Sequence, residues 1–326
     1  MNVGDRSGAI DAVRVLGITA VVAGHTLDPR LAPLFYTWHV PIFFVLVGYF
    51  WSSERTFLQE ARNRARTLWR PYVTWLTLLA VPYVLVHWLD GGLSPGLVFG
   101  PVYGGRFAGP PFSTFWFVSV LFFSVLLLRA LQALPKPVLT VALVAFVVLG
   151  SLFGFFLSRT PLAIGMALPC AALVAMGIVL KRWHPRIRKP MTVGLSLLLI
   201  SAAAVISGIS LPLDIKVGNL GTPVMSLAIS VAISSGLILV ADSSFRHLPS
   251  SVHRGVTLLA YAGFTVVLVH PAIVWILSGQ VDRWVTFAAA LIIPWGLGIA
   301  CLRSPASTWL TGVRRRPSKM SVLVEK

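Results

Sequence analysis

The sequence predicts an all-α, polytopic membrane bundle of about ten transmembrane helices, and three observations carry that reading. Of the 326 residues, 56% are hydrophobic and 11% are charged, whereas a soluble domain is about 25% charged. Apolar runs of about 17–25 residues, long enough to cross a hydrocarbon core, recur along the chain. Lysine and arginine collect in alternate connections between those runs. Helices are the natural form because each span must satisfy its own backbone hydrogen bonds.

Taken in order, the spans fall at about 9–27, 34–51, 72–89, 114–133, 138–157, 162–180, 191–209, 223–241, 254–277 and 284–302. The first carries Asp11 and Arg14 and is expected to remain as a span rather than be a removable signal peptide. The fifth and sixth are the most interrupted, by Gly154, Pro161, Gly165 and Pro169. The longest external connection, about 90–113, is rich in glycine and proline and carries only Asp90 and Arg106 as charges, as an ordered loop or lid would. No polar stretch is long enough for a separate soluble unit. Residues 1–326 therefore read as one integral-membrane domain with a short basic tail from about 303.

One set of connections holds Arg55, Arg62, Arg64, Arg66 and Arg70, then Arg129 and Lys136, then Lys181 to Lys189, then Arg246 and Arg254. With Arg6 and the tail, that side collects 21 of the 27 Lys and Arg. The opposite side has Arg30, Arg106, Arg159, Lys216 and Arg283. The positive-inside rule then places both termini in the cytoplasm of a multi-pass protein of the cell membrane. The net charge of +17 is thus a topology signal, and its placement argues against nucleic acid as a partner. Cys170 and Cys301 lie in apolar spans and read as small buried hydrophobes, with no disulfide or metal-ligand spacing.

The first span carries the candidate site. Arg14 and His25 are eleven positions apart, three helical turns plus about 20°, or about 16 Å along the axis. Asp11 falls within about 60° of both on the same count. Ionisable groups inside a membrane are costly and usually face a polar cavity. The shared face predicts a tunnel, with Arg14 holding an anionic group at the cytoplasmic end and His25 acting as general base at the other. The alternative is that Arg14 snorkels and His25 caps the helix. Asp11, three residues before Arg14, is expected to orient the guanidinium. Asp28 could orient His25, but Pro29 beside it favours a loop.

His39 and His270 fall at the level of His25, and each serves equally as a site residue or a structural hydrogen-bonder. Pro41 either kinks the second span or lies in its first turn, and Gly48 permits a close helix approach. Trp116-Phe117 reads as an interfacial belt or a pocket wall. The stretch Arg62-Asn63-Arg64-Ala65-Arg66-Thr67-Leu68-Trp69-Arg70 is either positive-inside charge with an aromatic anchor or a phosphate clamp.

These elements in this order resemble the membrane acyltransferase-3 family, and within it the fucose 4-O-acetylase-like branch. The likeness rests on Arg14 and His25 with ten residues between them, the string His39 to Tyr49, the basic segment Arg64 to Tyr72, Trp116 to Val118, and Tyr261 to Pro271. It spans nearly the whole chain. Val47 stands where the family usually has serine, and Thr67 where a second basic residue is common. The resemblance implies transfer of an acyl group, usually acetyl, from cytoplasmic acyl-CoA to a hydroxyl of a sugar or glycan near the outer membrane face. It further implies His25 as catalytic base, Arg14, Arg64 and Arg66 as donor-binding groups, and Asp11, His39, Trp116 and His270 in support. Acetyl-CoA enters as co-substrate, with no bound cofactor or metal. Against this stand a proton-coupled transporter of a glycan or lipid, using the three histidines, and a catalytically silent scaffold.

Overall fold

The computed structural model describes residues 8–92 and 94–314. Arg6 and the tail residues Arg315, Arg316, Lys319 and Lys326 lie outside them. The described chain is helical, with a single isolated bridge between Asp214 and Asn219 as its extended pairing. Among the described residues, eight helical segments are long and apolar enough to cross a membrane. Two further apolar helices of 17 residues, Phe115–Leu131 and Pro190–Ile206, occupy the places expected for the fourth and seventh spans.

Helix α1 (Gly8–Thr26) is central: it buries 61% of its apolar window, against 11% for α8 (Lys136–Leu157), whose exposed valines and phenylalanines suit lipid contact. Packed against α1 is α12 (Ser250–Leu277). Three polar ties join them in constant register: the Gly8 N–H to His253 Nδ1, the Thr257 hydroxyl to Asp11, and His25 to His270. Each tie joins residues 245 or 246 positions apart, so the two helices run parallel, as odd-numbered spans should.

The second span is not one continuous helix. A short α2 (Ala32–Tyr36) ends in a turn at 37–40, and α3 (Pro41–Tyr49) begins with Pro41 in its first turn. Proline lacks the N–H that a mid-helix position needs but is suited to a helix start. This break sets His39 in the turn between two helices. Further on, α3 packs against α9 (Ala167–Trp183), where Gly48 and Gly177 meet backbone to backbone; a Cβ on Gly48 would overlap the Val174 carbonyl.

The third span starts earlier than hydropathy suggests. The polar helix α4 (Phe57–Arg64), opened by a Thr56/Gln59 capping box, passes through a π-helical turn at Ala65–Trp69 into α5 (Arg70–Leu89). The interruption expected in the fifth and sixth spans falls after α8, which runs unbroken through Gly154. There the chain turns at Pro161–Met166, with Leu162 and Ala163 at positive φ. The Thr160 hydroxyl accepts from Gly165 N, and the Ser119 hydroxyl donates to Leu162 O; both hold the turn.

The described part of the 90–113 connection is structured. It forms α6 (Pro95–Tyr103) and a short turn at Gly105–Phe107. It is tied to the connection between α10 (Pro190–Ile206) and α11 (Met225–Phe245) by Arg106 donating to Val217 O and Lys216 donating to Ala108 O.

Candidate functional site

His25 and Arg14 of α1 line two separate cavities, one towards each end of the helix. The first, of about 560 Å³, is lined by His25, His39, Tyr36, Trp116, Asp214 and Lys216, among others. The second, of about 630 Å³, is lined by Arg14, Arg55, Asn63, Arg64, Thr67 and Tyr261, among others. Phe43, Phe117 and Val267 line both. Where the sequence predicts one tunnel, the structure holds two chambers, and these three apolar side chains form the waist between them.

Hydrogen bonds fix how His25 presents itself. Helix α12 runs through Pro271, which cannot donate to the carbonyl four residues back. That carbonyl, Val267 O, accepts instead from the Thr114 hydroxyl at 2.6 Å. One residue earlier, His270 Nδ1 lies 2.8 Å from Val266 O. A carbonyl oxygen can only accept, so Nδ1 carries the proton and Nε2 is left as a lone pair. His25 Nδ1 lies 3.0 Å from that Nε2 and must donate to it. His25 is thereby held as the tautomer with Nε2 unprotonated, while His270 is fully buried behind it. The rings lie nearly coplanar, edge to edge, with centroids 5.2 Å apart, as an in-line bond requires. An imidazole with a free, oriented nitrogen in a cavity is the arrangement a general base requires.

His39 follows the same logic at the side of the chamber. Its Nδ1 donates to Phe35 O at 2.7 Å, which leaves Nε2 as acceptor. Trp116 is a buried wall of this chamber. Asp28 plays no part: it accepts from Arg30 N at 2.9 Å and pairs with Arg283 at 2.9 Å. The Arg30 N–H, then Arg283, hold its carboxyl below the usual range. At the mouth, burial pushes the Asp214 carboxyl up and the Lys216 ammonium down, and each charge partly offsets that cost for the other.

The second chamber is cationic. Arg14 Nη1 bonds Asp11 at 3.0 Å, and the guanidinium stands 4.9 Å over the Phe50 ring. Asp11 is buried, and its other oxygen accepts from Thr257 at 3.0 Å, so Asp11 fixes Arg14 from two helices. Across the chamber, buried Glu60 accepts from Arg64 Nε at 2.7 Å and Arg55 Nη1 at 3.3 Å. Arg129 approaches the same carboxylate at 3.6 Å while stacking on Trp51 at 4.1 Å. One carboxylate thus organises three guanidinium groups and leaves the cluster net positive. Positioned guanidinium forks match phosphate and carboxylate oxygens.

Of the residues singled out from sequence, His25, His39 and His270 come together with Trp116 at one chamber, and Asp11, Arg14 and Arg64 at the other. Arg66 is exposed and does not line the second chamber. Arg64 and Arg66 are two positions apart, about 200° on a helix, so they cannot share a face. Arg55, Glu60, Lys216 and Phe43 escaped the sequence reading as site residues, whereas Phe117 was read with Trp116 as a belt or a pocket wall. Glu60 four residues before Arg64 was the available signal for the anchor; Lys216 and Phe43 carried no comparable signal.

Neither the curated proteins nor the solved structures include a match to this chain. The acyltransferase domain of the acyltransferase-3 family matches residues 7–303, which takes in every candidate residue, the first chamber, and the second apart from its Thr311–Val313 wall. The chain belongs to the acyltransferase-3 family and is a multi-pass membrane acyltransferase.

Proposed function

We propose that this chain is an O-acyltransferase that takes an acyl group, normally acetyl, from cytoplasmic acyl-CoA and places it on a hydroxyl of a sugar or glycan at the outer membrane face. The Lys and Arg bias supports setting the Arg14 chamber and both termini on the cytoplasmic side, where CoA resides. Arg14, Arg55 and Arg64 then hold the anionic head of the donor. Arg66, exposed beside them, meets the donor only outside the chamber. The motif order supports the fucose 4-O-acetylase-like branch.

In this reading the acceptor hydroxyl donates to His25 Nε2. As its oxygen attacks the thioester carbonyl, Nε2 takes the proton, a C–O bond forms and the C–S bond breaks. The proton cannot move on through His270, whose Nδ1–H already ends on a backbone carbonyl. It returns from Nε2 to the departing thiolate, so ester and free CoA leave with no acyl group on the protein. The observation carrying this is the His25–His270 bond, which leaves a lone pair facing a cavity.

Mass spectrometry of surface glycans from cells with and without the chain tests it. The acetyl mass increment is expected with the native chain and not with His25→Ala, although the variant still inserts. Full glycan acylation by His25→Ala contradicts the mechanism.

A further inference from the structure

We propose that Phe43 and Phe117 select the acyl group by its size. The inference rests on the O-acyltransferase reading and goes beyond it, to donor specificity.

A donor whose anionic head sits among Arg14, Arg55 and Arg64 must carry its thioester to His25, about 16 Å further along α1. The acyl group therefore passes, or comes to rest at, the level where the chambers meet. Three side chains line both chambers there: Phe43, Phe117 and Val267. All are apolar, so they discriminate by volume rather than by hydrogen bonding.

The rings have little room to retreat. Phe43 and Phe117 meet edge to face with centroids 5.5 Å apart. Phe44, fully buried, also meets Phe117 edge to face, at 5.6 Å. Behind Phe43 stands Gly17 of α1, where an added Cβ would come 3.0 Å from the ring's Cζ. Val267 is fixed by the bond its carbonyl accepts from Thr114. Each extra methylene on the acyl group must displace a packed ring, and one methylene against a fitted apolar wall changes discrimination by about 10–200-fold.

The test uses inside-out membrane vesicles bearing the cell's own glycans, supplied with labelled acetyl-, propionyl- or butyryl-CoA. Native chain is expected to transfer acetyl in strong preference to butyryl. Phe43→Ala should raise the butyryl-to-acetyl ratio by at least about tenfold, and Phe43→Trp should lower propionyl use below native. Phe43→Leu and Phe117→Leu widen the waist less and should shift the ratio the same way; they decide the matter if Phe43→Ala does not accumulate. A ratio left at the native value in every active variant overturns the size filter but spares the acyltransferase reading. A native chain that transfers none of the three overturns the reading itself.

Discussion

His270 touches the acceptor in no step of the proposed reaction, yet replacing it with phenylalanine should slow the enzyme substantially. Phenylalanine keeps a flat aromatic ring beside His25, where the ring centroids lie 5.2 Å apart, but removes the Nε2 acceptor that His25 Nδ1 uses at 3.0 Å. The tautomer with its proton on Nδ1 then buries an unmet donor, at a cost of about 1–3 kcal/mol. Tenfold corresponds to about 1.4 kcal/mol, so the productive tautomer loses roughly 5- to 150-fold in relative population. kcat should fall by that order, with the KM for acyl-CoA unchanged. Removing the base itself, in His25→Ala, should cost about 10²–10⁴-fold. The assay is acyl transfer in vesicles at saturating donor, with the double variant as the control. His25→Ala with His270→Phe should be no slower than His25→Ala alone, because His270 acts only through His25. A native rate in His270→Phe, or a further loss in the double variant, refutes the tautomer argument.

Three other outcomes follow from the same geometry. Arg55→Ala and Arg64→Ala should raise the KM for acyl-CoA at least about tenfold, as loss of a charge-assisted bond implies, with kcat for acetyl transfer largely kept; a KM unchanged in both removes them from donor binding. Asp11→Ala leaves Arg14 without its carboxylate and should cost on the order of 3 kcal/mol, visible as a lower thermal midpoint in detergent. An unchanged midpoint would show that Asp11 anchors nothing. Gly48→Val drives a side chain into the Val174 carbonyl and should abolish accumulation of folded chain in the membrane, whereas normal accumulation would mean that α3 and α9 do not approach as described.

The helices were legible because a span must be apolar for its whole length, and hydropathy records that directly. Their internal breaks were less so. Sequence left Pro41 as either a kink or a helix start, since proline occurs at both; the backbone shows a start, where its missing N–H is not needed. Asp11, Arg14 and His25 were legible as one face because they share one regular helix. The partnership of His25 with His270 was not, because 245 residues separate them and periodicity speaks only within an element. Depth alone placed them at one level. The resemblance pairs Arg64 with Arg66 as donor-binding groups, whereas the structure sets Arg64 at the second chamber and Arg66 away from it, because residues two apart share no helical face. The waist was half legible: Phe117 was read with Trp116 as a belt or pocket wall, while Phe43 looks in sequence like any other core aromatic.

In the proposed reaction an acyl group travels from a cationic chamber on the cytoplasmic side to a base on the other. Sealed membrane vesicles of opposite orientation, given labelled acetyl-CoA only in the outer medium, test it most directly. Inside-out vesicles should place label on glycans within the lumen, dependent on His25, while right-side-out vesicles should place none. Equal labelling in both orientations, or lumenal labelling that survives His25→Ala, would contradict the account.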